Sequence, residues 1–453
     1  MRIYFRLLMI YHNKIIMLYS SIPDHLLFFL SSIHLNNNIC SNFYDYINDI
    51  FTLNINICKY INIINRKGDF LMKYREIGNT GIKISELSFG AEWMGELPDE
   101  EVNKLVKYCE QKGINALDCW MSDPDIRRKL GNAIEGNREN WIIQGHIGST
   151  WQNNQYVRTR EIDKVKPAFE DLLKKFKTDY MDFGMIHYVD EIKEYHEIMN
   201  GEFIEYIRQL KEDNTIHHIG LSTHNPDVAL LAAEEPEIEL ILFSINPAYD
   251  IMPATEDIED YSNKEKYTRD LSSIAPERAE LYQKCENNNT AINVMKCFAG
   301  GRLFNDEDSP FGVAFTPIQC IEYALTRPAV KSVFVGVKSI KELDDSLAYY
   351  EANEDERDYT KILKNAPNHS FKGQCTYCGH CAPCPVNINV AMVNKYYDLA
   401  RIHEQIPESI REHYNNLSAH ASDCIECGQC IKNCPFDVDV IDYMHKAEEL
   451  FNQ

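Results

Sequence analysis

From Lys73 to about Ala352, short apolar runs alternate with longer stretches whose apolar residues recur every three or four positions. The short runs are Ser85–Gly90, Ile114–Trp120, Trp141–Ile147, Tyr180–His187, His217–Ser222, Leu240–Ile245, Ile292–Lys296 and Ser332–Val337. Many are continuously apolar, as parallel strands buried on both faces must be. The stretches near Glu101–Lys112, Asp125–Glu135, Glu161–Lys175, Gly201–Asp213, Pro226–Glu234, Pro276–Asn287, Pro317–Thr326 and Ile340–Glu351 carry the 3.6-residue period of amphipathic helices. Eight strands alternating with eight helices over about 280 residues predict an α/β fold, a (β/α)8 TIM barrel, which typically takes about 250. An open doubly wound sheet is the alternative.

Past the barrel the pattern changes. Val390–Leu399 and Pro407–Leu417 read as two helices, and they lie between two runs of cysteines. The runs are Cys375, Cys378, Cys381 and Cys384, followed by Pro385, and Cys424, Cys427, Cys430 and Cys434, followed by Pro435. The second run has the C-x2-C-x2-C-x3-C-P spacing of a [4Fe–4S] ligand loop, and the first differs only in its last gap. Three evenly spaced thiolates wrap one corner of a cubane, and the fourth of each run ligates the other cluster when two runs occur together. The expected sets are Cys375, Cys378, Cys381 with Cys434, and Cys424, Cys427, Cys430 with Cys384. Zinc is the competing reading, but it has no use for a third evenly spaced cysteine or the trailing proline. The expectation is a small, mainly helical two-cluster ferredoxin domain over 365–445, after a barrel over 72–355.

The first 71 residues stand apart. They hold no Ala, Val, Glu, Gln or Trp, yet 14 Ile and 10 Asn, where ordinary proteins use Ala, Val and Glu heavily. This is how translated AT-rich intergenic sequence reads, and Arg66-Lys67-Gly68-Asp69 is compatible with a purine-rich ribosome-binding sequence. Translation is therefore expected to begin at Met72, with 1–71 a non-native or disordered extension. The alternative is a genuine N-terminal extension.

The net charge of −23 argues against nucleic acid and anionic membrane surfaces. No apolar run reaches the 18 residues of a membrane-spanning helix. So many free thiolates suit a cytoplasmic, oxygen-poor setting.

Tyr74-Arg75-Glu76-Ile77-Gly78-Asn79-Thr80-Gly81-Ile82-Lys83-Ile84-Ser85 resembles the opening β-hairpin of the aldo/keto reductase superfamily. Gly113–Asp118, Thr178–Asp182, Met185-Ile186-His187, His218–Ser222, Met295-Lys296 and Gly300-Gly301-Arg302-Leu303 continue the resemblance in order. It covers nearly the whole of 73–352, and barrels of this family fused to a two-cluster ferredoxin tail recur mainly in anaerobic prokaryotes. The resemblance implies carbonyl reduction by NADPH with an Asp, Tyr, Lys and His. Asp118 matches the Asp and His187 the His. His146 stands where the Lys is expected, and Asp123 where the Tyr is expected. A general acid is worth about 10²–10⁴ in rate, so standard carbonyl reduction should be slow unless His146, oriented by Asp118, supplies the proton.

The resemblance also places a nucleotide phosphate at Lys338 and Ser339 and a nicotinamide amide at Ser222. Glu342 would repel a 2′-phosphate, which favours NADH over NADPH if a nicotinamide binds. Cys119 and Cys297 fall near strand ends, where a reactive thiol is an alternative to core packing. Trp93, Trp120 and Trp151 belong to segments that should reach the mouth. The expected function is an iron–sulfur oxidoreductase acting on a small organic, carbonyl-bearing substrate. A hydride carries two electrons and a cluster one, so a separate ferredoxin or flavoprotein partner is expected near the tail. The competing expectation is a catalytically silent barrel carrying an electron-relay module.

Overall fold

The structure, a computed structural model, describes residues 72–452 except 269, 270, 402 and 404, together with the backbone of 5–11 and 14–20. Met1–Asp69 and Phe70–Gln453 form two units. In the first, Phe5–Tyr11 and Lys14–Ser20 pair as an antiparallel hairpin. The expectation of a start at Met72 otherwise concerns a segment outside the described residues.

In the second unit eight parallel strands close a barrel: β1 (Leu87–Gly90), β2 (Ala116–Cys119), β3 (Ile142–Ile147), β4 (Met181–Ile186), β5 (Ile216–Thr223), β6 (Ile238–Ser244), β7 (Ala291–Met295) and β8 (Val330–Gly336). They pair in chain order, and β8 returns to β1 through Phe334↔Ser88 and Val335↔Phe89. The helices outside are α1 (Asp99–Gln111), α2 (Pro124–Ala133), α3 (Ile162–Phe176), α4 (Glu202–Glu212), α5 (Pro226–Glu234), α6 (Pro276–Asn288), α7 (Pro317–Leu325) and α8 (Ile340–Leu347). The apolar period does what it predicts: α3 turns Val165, Phe169, Leu172 and Phe176 inward. Ile77 and Ile84, flanking and within the hairpin Tyr74–Glu76/Lys83–Ser85, pack with Ala116, Phe183 and Leu240 in the barrel interior.

Insertions at the strand C-terminal ends escape the simple alternation, and two of them bear on the site. Ile192–Met199 is an extra helix after β4. After β3, Ser149–Gln152 and Gln155–Arg158 form an antiparallel hairpin across Asn153 and Asn154, both with positive φ. That two-residue Asn turn is a hairpin signal legible in the sequence. Gly148 makes the corner: its φ is +101°, and a Cβ there would come 2.5 Å from the Arg160 Nη1 atom.

The cysteine runs precede two matching helices, α9 (Val390–Ala400) and α11 (Val440–Phe451), with α10 (Glu408–Asn415) between the runs. Asn389 and Asp439 cap α9 and α11 alike, each accepting from the N–H three residues on. Tyr377 and Gly379 in one loop, and Glu426 and Gly428 in the other, share positive φ. The chain therefore repeats one loop–helix unit twice. The repeat is not a separate body. Phe371 packs 6.2 Å from both Phe311 and Phe436. The buried Arg327 donates to the Tyr359 hydroxyl at 2.9 Å and to the Thr376 carbonyl at 3.4 Å.

Candidate active site and thiol cages

Asp118 on β2, His146 on β3 and His187 just past β4 converge inside the mouth, each at most 6% exposed. His146 Nε2 lies 2.9 Å from the Asp118 Oδ1, and His146 Nδ1 lies 2.8 Å from His187 Nδ1. His187 Nε2 lies 2.7 Å from the hydroxyl of Tyr156, which the Ser149–Arg158 hairpin brings over the mouth. Sequence reasoning missed Tyr156, because it belongs to an insertion rather than to the loop after β2. Asp123, where a tyrosine is expected, instead caps α2 by accepting from the Asp125 N–H. Trp120 lies parallel to His187, with ring centres 6.1 Å apart, and meets Tyr156 edge-on at 5.4 Å.

With His146 neutral, these contacts order the protons along the line. An ionised Asp118 only accepts, so His146 carries its proton on Nε2 and presents a bare Nδ1. His187 must then donate from Nδ1 and accept at Nε2 from the Tyr156 hydroxyl. Tyr156 then stands at the outer end of the line. Burial, and then the neighbouring His146, Arg160 and Arg158, hold the His187 pKa well below its ordinary value. Burial raises the Tyr156 pKa despite Arg158 and Arg160, so its phenol stays protonated near neutrality. In this state the chain can take one further proton at Tyr156 and store it on the His146–Asp118 pair. Once loaded, it can return that proton.

The other expected positions have partners of their own. Ser222 is buried at the end of β5, and its carbonyl accepts from the Val189 N–H at 2.9 Å. Lys338 holds Glu96 at 3.0 Å and lies 3.9 Å above the Trp93 ring. Ser339 caps α8, and the Glu342 carboxylate accepts from the Lys338 N–H at 2.7 Å. A carboxylate thus occupies the helix N-terminus where a phosphate would bind. Cys119 and Cys297 are buried; burial pushes the Cys119 thiol up to about 12 and Cys297 well above its usual range. Core packing, not reactivity, describes both.

The eight tail thiols line two small cavities. Cys375, Cys378, Cys381 and Cys434 face the first, and Cys384, Cys424, Cys427 and Cys430 face the second. All eight are free thiols. Among the described residues no three His, Cys, Asp or Glu side chains converge closely enough to hold a single metal ion. Each set of four thiols lines one cavity, as the ligands of a four-iron cubane do. The Glu426 N–H points at Cys424 Sγ from 3.4 Å, and the Asn394 amide at Cys375 Sγ from 3.4 Å. Such N–H···S contacts suit anionic sulfur. The cages therefore fit the group that the spacing implies.

The family model "Aldo/keto reductase family" matches residues 86–317, and the model "4Fe-4S dicluster domain" matches residues 374–438. The uncharacterized oxidoreductase YqkF of Bacillus subtilis is 24% identical over 289 residues, spanning 61% of this chain and 90% of that protein. The aldo-keto reductase YhdN of the same organism is 26% identical over 163 residues, 33% of this chain and 47% of that protein. The solved aldo-keto reductase AKR11C1 from Bacillus halodurans superposes with a TM-score of 0.51 at 20% identity, covering 65% of this chain and 97% of that one. This likeness establishes the shared barrel. Among the described residues no helix is long and apolar enough to cross a membrane.

Proposed function

The chain belongs to the aldo/keto reductase family and carries a 4Fe-4S dicluster domain, and on that premise we propose that this oxidoreductase interconverts a carbonyl and a hydroxyl on a small organic substrate. In this reading Tyr156 exchanges the proton, and Asp118, His146 and His187 feed it. The observation that carries the reading is the unbroken hydrogen-bonded line from the buried Asp118 to the part-exposed Tyr156. It offers an alternative to the missing Tyr–Lys pair with residues of suitable chemistry from different places in the chain. Reduction of a carbonyl to an alcohol consumes two electrons and two protons. The loaded line supplies one proton, and the second comes from solvent or with a hydride.

Cys375, Cys378, Cys381 and Cys434 would hold one [4Fe–4S] cluster, and Cys384, Cys424, Cys427 and Cys430 the other. When bound, such clusters pass electrons singly. Cys427 is exposed, and Ile425 beside it is 60% exposed. That face suits docking of a ferredoxin or flavoprotein, which we propose as the electron partner. A nicotinamide would have to displace Glu342 from the Lys338 N–H, and the carboxylate favours NADH over NADPH.

The test is an anaerobic screen of aldehydes, ketones and 2-oxo acids with reduced methyl viologen as the one-electron donor. Substrate-dependent viologen oxidation that depends on Tyr156 supports the proposal. The occupied phosphate position favours a second reading, a silent barrel that positions an electron relay. No turnover across the screen, with no heat of NADH binding, would select it.

A further inference from the structure

The repeated loop–helix unit supplies an internal control, because the two cages are the same construction built with different residues. With Cys375 aligned on Cys424, Thr376 corresponds to Ile425; past the extra residue in the second run's last gap, Val390 aligns on Val440, Ala391 on Ile441, Asn394 on Met444 and Lys395 on His445. Asn394 lines the first cage and Met444 lines the second at the same place. Both cages share the backbone contact: Tyr377 N–H approaches Cys375 as Glu426 N–H approaches Cys424. Only the first adds side-chain donors: the Asn394 amide 3.4 Å from Cys375 Sγ, with His380 hydrogen-bonded to Cys378 and Thr376 beside it.

Charge follows the same division. Lys395 is 2% exposed, and its ion-pair partner Glu286 stands 3.9 Å away, beyond hydrogen-bond reach. Arg327 is 5% exposed and donates to the Thr376 carbonyl within the first cage's loop. Its other hydrogen-bond partners are the Tyr323 carbonyl, the Thr326 hydroxyl and the Tyr359 hydroxyl. At the second cage His445 is mostly exposed and bound to Glu426 at 3.3 Å. Asp398 near the first cage is neutralised by Arg401 at 2.8 Å, and its counterpart in the repeat is Glu448. Lys395 feels Glu286 and Arg327 feels the buried Asp250; a cluster held by four thiolates would add negative charge on the Thr376 side.

We infer that Asn394, Lys395 and Arg327 set the first cage above the second in reduction potential, so that an electron admitted beside Cys427 comes to rest beside the barrel. Donors and cations stabilise the more negative, reduced state and raise its potential. Solvent at the exposed Cys427 acts the other way, raising the second cage. Cys427 is the exposed thiol there, and the other seven are all of intermediate exposure, whereas the first cage has directed donors and two charges at low dielectric, where each counts for more. For each electron gained at the first cage one is lost at the second, which the proposed one-electron partner protein refills. This assigns the reductive direction to the tail and rests on the two-cluster reading above.

The experiment is an EPR-monitored redox titration of the anaerobically prepared full chain. Iron and acid-labile sulfide come first: about eight of each per chain are required, and a shortfall in the unsubstituted protein refutes the two-cluster reading rather than the ordering. Two one-electron steps are expected. Asn394→Met should lower the upper step by about 59 mV, a tenfold change in how the two cages share an electron, and leave the lower step alone. Met444→Asn should raise the lower step. If Asn394→Met loses iron, Lys395→Gln decides, again by lowering the upper step only. A single unresolved wave in the unsubstituted protein would overturn the inference. So would movement of the lower step in the Asn394 or Lys395 variant, or no movement in any variant.

Discussion

Replacing Tyr156 by Phe removes one oxygen and leaves the ring. The edge contact with Trp120, at 5.4 Å, survives, so packing is nearly unchanged. What is lost is the 2.7 Å contact with His187 Nε2. That ring nitrogen is buried, but the hydroxyl it faces belongs to a residue 37% exposed, so water can take its place. The stability cost then falls at the low end for an orphaned acceptor, about 1 kcal/mol. A unit running from Phe70 to Gln453 unfolds with an entropy of about 0.8 kcal/mol/K, at about 2.1 cal/mol/K per residue, so Tm should fall by only about 1 °C. The rate consequence is far larger. Losing the group that exchanges the proton should lower kcat by about 10²–10⁴, or about 3–5.5 kcal/mol of barrier, with KM little changed. The pH profile adds a readout that damage to the fold would not produce. Reduction draws on the loaded line, so the unsubstituted enzyme should slow as pH rises, and Tyr156→Phe should lose that dependence. The assay is viologen-coupled turnover of a carbonyl found in the screen, with thermal unfolding run alongside. Activity within threefold of the unsubstituted protein, or a loss matched by a Tm drop of ten degrees, would refute the reasoning.

Three further outcomes follow from the same geometry. Cys427→Ser and Cys378→Ser should each cut iron from about eight to about four per chain, and a double variant carrying both should retain almost none; equal iron in single and double variants would contradict two separate cages. Glu342→Gln should raise affinity for nicotinamide nucleotides at least tenfold by removing the carboxylate at the Lys338 N–H, measured through quenching of Trp93; unchanged binding would show that this loop does not meet the phosphate. Burial keeps His187 neutral in the folded protein with its pKa below the unfolded value, so its contribution to stability is complete above about pH 6.5. It is lost as pH falls, at up to about 1.4 kcal/mol per pH unit. Urea midpoints between pH 7.5 and 5.5 should therefore drop more steeply for the unsubstituted protein than for His187→Gln, and parallel curves would argue against a buried neutral imidazole.

Local periodicity carried the architecture. All eight strands and all eight barrel helices lie where apolar spacing places them, because a parallel strand buried on both faces and a helix buried on one leave different spacings in any chain that folds this way. Thiol spacing likewise marked the two runs, since a loop of such short period has few geometries open to it. The helix expected over Ile340–Glu351 ends instead at Leu347, with a 3-10 turn over Ala348–Tyr350, a boundary that depends on tertiary contacts. Asp118, His146 and His187 could be named from the family resemblance, but not their bonding, because which ring nitrogen meets which partner depends on how three strands stagger around the barrel. Tyr156 was beyond reach for a related reason. Its phenol arrives on a hairpin folded back by Gly148, and nothing local distinguishes it from other surface tyrosines. The sequence shows two similar cysteine runs, and only packing against Arg327, Lys395 and Asn394 makes them unequal. Through-space electrostatics depends on neighbours distant in the chain, so tertiary structure alone decides it.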